Sequence, residues 1–409
     1  MRWSIPSVLT VQRFNVLTIH RVMIRNFKKA SRIQKSLIIL ALVLLIIGLS
    51  GCETVSFYGQ AIKGQYQLVA GQQPIDELLE DAKTEPRLKK QLQLLQGLRA
   101  FADKELKLPV DNHYRKYVDV HRPYVVWNVE AAPEFSMEPK SWWYPLVGSL
   151  EYRGYFSKRA AQHYAATLRK KGSDAYIGGA SAYSTLGWFK DPVLNTFIFD
   201  PEPDLAETIF HELGHQRVFA RGDTDFNEAF ATTVGQEGAR RWLRAKGDTN
   251  AFEHYEAELR RNNDFVHLIM DARQELEILY GDERTEAGKI KASKKPHELP
   301  PDQLRERKKA IFERLQKRYA KAKADWGGDT EYDDWFSREL NNAQLNSVAA
   351  YYDLVPGFEQ LLKLNGDDLE KFYDAAERLS KKPKKERQLW LRTLSGKGPV
   401  VESQQIKKP

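Results

Sequence analysis

The sequence predicts a mostly helical α+β protein, with a small β-sheet ahead of one helix that carries two histidines. Leucines recur at helical spacing, most clearly over residues 75–82 and 88–106. Four runs rich in β-branched and aromatic residues precede residue 200, and their composition is typical of strands. These runs are residues 124–128, 146–152, 174–178 and 196–199. The histidine helix is expected directly after them, because Pro201 and Asp204 suit a first helical turn.

The remaining elements follow from apolar periodicity and from chain breakers. A first helix is expected to end at Gly71. Further helices are expected at residues 158–171, 252–280, 302–326 and 341–353. The segment 302–326 is strongly charged but keeps an apolar stripe, which favours a solvated amphipathic helix over a partner surface. The Gly- and aromatic-rich loop 183–189 is a candidate wall of a cleft, with a buried loop as the equal alternative.

The segment from His211 to His215 fits the pattern His-Glu-x-x-His. On a helix of about 3.6 residues per turn, these two histidines lie one turn apart on one face. Two imidazoles in that position can hold one Zn²⁺, and Glu212 lies beside them, where a carboxylate can take a proton from an attacking water. Leu205 and Ile209 lie on another arc, which suits a core. The alternative is a structural helix with two incidental histidines.

Catalytic zinc usually has three protein ligands and one position left open for water. Gly222 and the polar residues after it predict a turn. Thr224 or Asp225 can then cap a second helix that runs to about Lys246. Glu228 would lie in the first turn of that helix and face back toward the histidines, so we expect it to be the third ligand.

Three other acids are alternative third ligands: Asp223, Asp225 and Glu237. The two aspartates also suit the role of helix caps. Glu237 lies more than two helical turns beyond Glu228 and would more simply brace the site.

Several blocks of this sequence resemble those of a bacterial family of zinc aminopeptidases that are predicted lipoproteins. The blocks are residues 126–129, 152–156, 183–189, the histidine helix, 226–228 and 341–343. Residues 227–231 look like the Asn-Glu-x-Phe-Ala box of gluzincin-type aminopeptidases. The resemblance covers about residues 57–358. It implies a zincin-like metallopeptidase fold, in which the small sheet precedes the active-site helix, a Zn²⁺ cofactor and peptide substrates.

The resemblance also concerns Tyr351, which matches a tyrosine in the family's last block. Zinc peptidases need a hydrogen-bond donor to the developing oxyanion, and a tyrosine hydroxyl can supply it. The expected role of Tyr351 is therefore catalytic, with a core tyrosine as the alternative.

The basic charge of the protein comes from its beginning. Residues 1–51 contain eight basic residues and no acidic one, whereas the whole chain has 63 basic and 55 acidic residues. The remainder is therefore neutral and gives no reason to expect nucleic-acid binding. An apolar stretch ends in Leu49-Ser50-Gly51-Cys52, which is typical of a lipoprotein signal peptide.

We expect Cys52, the only cysteine, to be lipidated and to become the mature N-terminus. A leader counted from Met1 is long for a signal peptide, so Met23 is the expected start. An uncleaved membrane anchor is the alternative, but the apolar stretch is shorter than the ~20 residues that span a bilayer.

The sequence suggests five segments along the chain. They are a lipoprotein signal peptide at 1–51, a helical segment at 52–110, a zincin-like catalytic core at 111–285, a C-terminal helical lobe at 286–380 and a basic, disordered tail at 381–409.

Three functions are consistent with these features. The first is a zinc metallopeptidase that is tethered to a membrane of the cell envelope, on the periplasmic side in a Gram-negative cell, and trims free N-termini. The second is a zinc endopeptidase or a hydrolase of cell-wall peptides. The third is a non-enzymatic envelope scaffold.

Overall fold

A computed structural model of the chain describes residues 51–396, except residues 112, 145–147, 183–190, 286–289, 294–296 and 298. Residues 1–50 of the signal-peptide segment and the candidate cleft-wall loop at 183–189 lie outside the described residues. Contacts divide the chain into two compact units, Met1–Ile62 and Lys63–Pro409. In the described part of the chain, no helix combines the length and the apolar character that a membrane span requires.

The described chain is mostly helical with several small sheets, which confirms the α+β class. The helices, in chain order, are α1 Gly51–Ala70, α2 Ile75–Glu80, α3 Pro86–Lys104, α4 Lys158–Lys170, α5 Glu202–Arg217, α6 Thr224–Lys246, α7 Thr249–Tyr280, α8 Pro301–Asp325, α9 Asp333–Phe336, α10 Asn342–Tyr352, α11 Val355–Leu364, α12 Leu369–Ser380 and α13 Lys384–Leu394.

The strands are short, and most of them precede α5. They are β1 Gln73–Pro74, β2 Lys116–Val118, β3 Val126–Pro133, β4 Trp142–Tyr144, β5 Gly148–Leu150, β6 Arg153–Tyr155, β7 Ser173–Ala180, β8 Val193–Leu194, β9 Glu283–Arg284 and β10 Ile290–Lys291. Strand β3 is central in an antiparallel sheet of order β6-β3-β7. Strand β2 pairs with β1 in antiparallel and with β8 in parallel fashion.

The two faces of the β6-β3-β7 sheet have different neighbours. Helix α4 covers one face, where its Tyr164 packs 5.7 Å, centroid to centroid, from Tyr155 of β6. Side chains alternate along a strand, so Asn128 and Glu130 of β3 point to the opposite face. Asn128 pairs there with a glycine on each neighbouring strand. Neither partner residue therefore contributes a side chain beside Asn128.

A large hydrophobic core joins the later helices α11 and α12 to α5 and α6. Phe230 of α6 stacks on Phe372 of α12, with ring centroids 5.5 Å apart, and meets Phe358 of α11 edge to face at 5.6 Å. All three side chains are fully buried. Helices α11 and α12 therefore pack against the face of α6 that points away from the histidines.

The strand expected at residues 196–199 is wrong. The strand is β8, which ends at Leu194, and local bonds then turn the chain back on itself. Ile198 N–H donates to Leu194 O at 3.0 Å, and Asp200 N–H donates to Phe197 O at 3.1 Å. Phe197 and Ile198 are buried in the core. Burial thus explains their apolar character, since a short apolar run does not distinguish a strand from a packed turn.

The disordered tail expected from residue 381 is also wrong for its first part, because α13 occupies Lys384–Leu394. Leu391 is fully buried in the main core, and two polar side chains of α13, Arg387 and Gln388, are buried as well. The many basic residues obscured the apolar pattern of this helix, which packs against the core through one narrow face. Residues 397–409 lie outside the described part of the chain.

Candidate metal centre

Helix α5 carries the first two candidate ligands. Glu202 and Asp204 lie in its first turn, where the helix dipole favours acidic side chains. Leu205, Ile209 and Leu213 are fully buried, so one face of the helix belongs to the core. The histidines are left on another face of α5, as the apolar spacing predicted.

Helix α6 begins only seven residues after α5 ends, at Thr224. Gly222 makes the turn between them with φ of +73°, a conformation that favours glycine. The side chain of Asn227 clasps the loop: its Oδ1 accepts from Ala220 N–H at 2.7 Å, and its Nδ2 donates to Ala220 O at 3.0 Å. The clasp fixes the first turn of α6, and with it Glu228.

Helices α5 and α6 approach closely beside the histidines. A Cβ atom added to Gly235 would lie 2.8 Å from Glu207 O and 3.1 Å from His211 Cβ. Only glycine therefore fits at this crossing without a shift of backbone. The close approach places a residue of α6 opposite the ligand face of α5.

The structure brings the side chains of His211, His215 and Glu228 together. Glu228 Oε2 lies 3.4 Å from His211 Nε2 and 3.6 Å from His215 Nε2. One ligand atom from each residue lies within 4.8 Å of the others. Within the described residues, no other group of three or more His, Cys, Asp or Glu side chains converges in this way.

This donor set fits zinc. Zinc–ligand distances of about 2.0–2.2 Å at tetrahedral angles place neighbouring donor atoms roughly 3.3–3.6 Å apart. The two measured imidazole–carboxylate distances, 3.4 and 3.6 Å, fall in that range. Two imidazole nitrogens and one carboxylate oxygen are also a ligand combination that catalytic zinc sites use.

Burial and mutual charge shift the pKa values of Glu228 and His215. Burial alone would raise the pKa of Glu228, but the two histidines outweigh it and hold this pKa well below its usual range. Burial alone would lower the pKa of His215, but the carboxylate of Glu228 outweighs it and raises this pKa. The two imidazoles thus offset the cost of burying the Glu228 carboxylate, and a bound cation would do the same.

Glu212 lies in the same cleft without being part of the donor set. Burial raises its pKa, although the two histidines pull in the opposite direction. Its Oε2 atom is buried, and no hydrogen-bond partner for it lies among the described residues. A buried acceptor without a partner is costly. An acceptor of this kind, beside a candidate metal centre, suits a group that must take a proton.

The alternative third ligands have other partners. Asp223 is completely buried, where Arg387 Nε, Gln388 Nε2 and Lys384 Nζ contact its carboxylate at 2.6, 2.6 and 3.0 Å. It is the N-cap residue of α6, but its side chain makes no cap hydrogen bond. Asp225 accepts from Gln388 Nε2 at 3.2 Å. Glu237 pairs with Arg241 at 2.8 Å.

The Asp223 anchor gives a prediction about stability. Arg387→Met should lower the free energy of unfolding by about 3 kcal/mol, because it leaves a buried carboxylate with weaker compensation. Lys382→Met, which removes an exposed pair with Glu386, should cost less than about 1 kcal/mol. Urea unfolding measures both. Equal losses in the two variants would contradict a special role for the buried pair, and Asp223→Asn should restore part of the stability of Arg387→Met.

A cleft of about 470 Å³ contains the three candidate ligands and Glu212. Strand β3 contributes Val126 and Asn128 to its lining, and the loop after α5 contributes Phe219, which is 40% exposed. Asn128 and Tyr152 belong to two of the family-like sequence blocks, but no sequence pattern placed these residues near the histidines. Strand β3 pairs with β6 and β7, whose glycines beside Asn128 leave room in the floor of the cleft.

Two candidate residues cannot be placed by their side chains. Tyr351 belongs to helix α10 and Cys52 to helix α1, but both side chains lie outside the described part of the structure. The expected roles of these residues, oxyanion donor and lipidation site, therefore stay predictions.

Comparison with known proteins gives one family match. The model of a family described as a putative aminopeptidase matches residues 56–391. No curated protein matches the chain, and no solved structure does. The family match begins in α1 and ends in α13, and it includes α5, α6 and every element that lines the cleft. The chain belongs to this family.

Proposed function

We propose that the protein is a zinc-dependent metallopeptidase with a zincin-like fold, and that it acts as an aminopeptidase. The observation that carries the proposal is the convergence of His211, His215 and Glu228 at zinc-like donor spacing. Beside them lies Glu212, whose Oε2 has no hydrogen-bond partner among the described residues. The family match supports peptide hydrolysis. The cleft around these side chains is large enough for part of a peptide.

The chain's own residues have distinct roles in this proposal. His211, His215 and Glu228 would hold Zn²⁺, which would polarise the scissile carbonyl and lower the pKa of water to about 7. Glu212 takes the proton of the attacking water and returns it to the leaving amine. Burial raises the pKa of the Glu212 carboxyl, which suits a proton acceptor. Tyr351 is the proposed donor to the oxyanion.

The cleft also suggests how a peptide is bound. Val126, Leu150 and Phe219 supply apolar surface, and the glycines around Asn128 leave its floor open. An extended peptide can lie on such a floor and donate or accept main-chain hydrogen bonds. Phe219 is exposed at the cleft, so we propose that it contacts an apolar substrate side chain.

Metal dependence and substrate class test the proposal together. The purified full-length chain should contain about one zinc per molecule and release reporter groups from aminoacyl substrates with a free amine. Removing zinc with a chelator should abolish this activity, and adding zinc should restore it. Preferential cleavage of N-blocked peptides would favour an endopeptidase instead. Full activity in a zinc-free preparation would overturn the zinc proposal, and a zinc-loaded protein without any hydrolysis would favour a scaffold.

We further propose that lipid on Cys52 tethers the enzyme to a membrane of the cell envelope, facing the periplasm in a Gram-negative cell. The basic, apolar and small-residue order before Cys52 supports this localisation. Labelled palmitate should enter the wild-type protein and not Cys52→Ala. Equal labelling of both proteins would refute the lipid anchor.

A further inference from the structure

A second cavity adjoins the metal cleft at the turn between α5 and α6, where Gly222 and Thr224 line both. Its volume is about 190 Å³. None of the three candidate metal ligands lines it, and neither does Glu212. Among the described residues, five basic and four acidic side chains do. The cavity is therefore distinct from the metal centre, and its wall has a small excess of positive charge.

Arg273 of α7 is the buried cation of this wall, with only 7% of its surface exposed. Asn346 of α10, which is also buried, holds its guanidinium in place. The Oδ1 atom of Asn346 accepts from Arg273 Nε at 3.2 Å and from Nη2 at 3.0 Å. The amide is itself fixed, because its Nδ2 donates to Met137 O at 3.1 Å. The position of the guanidinium is thus set by packing before any ligand arrives.

The guanidinium has donors to spare. It carries five N–H groups. Asn346 accepts one from Nε and one from Nη2, and Nη1 donates to the thioether Sδ of Met270 at 3.7 Å. One N–H on each terminal nitrogen is left, and no other acceptor for Arg273 lies among the described residues. Two such groups on adjacent nitrogens can bind both oxygens of one carboxylate.

Arg273 also lacks an ion pair. Glu277 and Asp353 attract it from a distance, but Glu277 pairs with Arg284 at 2.6 Å and Asp353 with Arg392 at 2.7 Å. Burial lowers the pKa of the Arg273 guanidinium, yet this group stays charged in proteins. A buried charge without an ion pair is costly, and an anion in the cavity would remove that cost.

The other cations of the wall already have acidic partners. Besides the two arginines, Lys291 pairs with Glu138 at 2.5 Å and Lys384 with Asp223 at 3.0 Å. Among the described residues that line the cavity, Arg273 is therefore the one cation left to compensate. A group with a single negative charge matches it. Phosphate, with nearly two charges at neutral pH, would meet repulsion from the four acids of the wall.

We propose that this cavity binds the carboxylate group of a small organic acid through the guanidinium of Arg273. The proposal goes beyond the peptidase function and does not depend on the metal. The carboxylate has two potential sources, because the cavity adjoins the cleft. It belongs either to the C-terminus of a short peptide that also enters the cleft, or to a separate small acid.

Isothermal titration calorimetry on the zinc-loaded, full-length protein tests the site. The probes are N-acetylglycine and its neutral counterpart N-acetylglycinamide. The wild type should bind the acid at least about 10-fold more tightly than the amide, as expected for hydrogen bonds between charged groups. Arg273→Met should reduce this preference to less than about twofold. The matched control is Lys291→Met, which removes a cation of the same wall that has its own acid partner, and it should keep the preference.

Two results would overturn the proposal: equal binding of acid and amide by the wild type, and an undiminished preference in Arg273→Met, which would place the carboxylate at the zinc instead. Displacement of N-acetylglycine by inorganic phosphate at lower concentrations than by acetate would also contradict it. Arg273→Lys keeps the charge without the pair of adjacent donors, so its preference should be intermediate. This variant and the wild-type comparison keep the test decisive if Arg273→Met does not fold.

Hydrolysis distinguishes the two sources of the carboxylate. If the source is a peptide C-terminus, the wild type should cleave Leu-Gly-Gly with a KM at least about 10-fold lower than that for Leu-Gly-Gly-amide, and Arg273→Met should abolish the difference. If the source is a separate acid, the two KM values should agree within about twofold. A wild type that shows the binding preference but hydrolyses nothing would leave the carboxylate site standing and refute the peptidase proposal.

Discussion

Glu212→Gln should retain about one zinc per chain and lose hydrolysis, with kcat lower by about 10²–10⁴-fold, the usual contribution of a general base. Glutamine keeps the size of the side chain but cannot accept a proton at neutral pH. Glu212 is not one of the three converging donors, so metal binding does not depend on its charge. Metal analysis and steady-state kinetics on a free-amine aminoacyl substrate measure the two effects.

A suitable control lies at the start of the same helix. Glu202 pairs with Lys246 of α6 at 2.5 Å and is partly exposed. Glu202→Gln should therefore keep both zinc and activity within about twofold, since exposed pairs contribute little. If Glu212→Gln kept full activity together with its zinc, another group would have to be the base.

Glu228→Gln is the second change with a large expected effect, and here the metal itself should be lost. The amide is a weaker donor than a carboxylate, and it no longer balances the charge of the cation. We expect zinc affinity to fall by more than about 100-fold, beyond the 10- to 100-fold that indirect supporting groups usually contribute. Competition with a chelator of known affinity gives the number, and hydrolysis should fall in parallel at limiting zinc.

The matched control for Glu228 is Glu237, on the same helix and once an alternative ligand. Its carboxylate accepts from Arg241 at 2.8 Å and is absent from the converging donor set. Glu237→Gln should keep the zinc affinity of the wild type. The third ligand would be misassigned if Glu237→Gln released zinc and Glu228→Gln did not.

Much of the site follows from local sequence. His211 and His215 share a face because a helical turn fixes their spacing. The turn at Gly222 and the extent of α6 were predicted nearly to the residue, and the helix ends at Lys246 as expected. Because the connection between α5 and α6 is short, Glu228 in the first part of α6 faces α5. Local rules work here because both helices begin and end at residues with clear preferences.

Other parts of the site depend on partners far away in sequence. Asp223 was expected as a cap or a ligand, but its main partner is Arg387, 164 residues later. The helix that carries Arg387 was expected to be disordered, because its basic composition conceals a single buried face. Likewise, Phe197 and Ile198 resemble a strand in sequence and form a packed turn in the structure.

By itself, the sequence determined the chemical type of the site: two histidines one helical turn apart, a neighbouring glutamate and a third acid on the next helix. Only the tertiary structure decided which acid is the third member, because it places Glu228 at 3.4 and 3.6 Å from the imidazoles and sends Asp223 to Arg387. It also decided that Asn128 lines the cleft. The physical reason is that spacing along one helix is fixed by local hydrogen bonds, whereas a cavity forms where separate segments pack together.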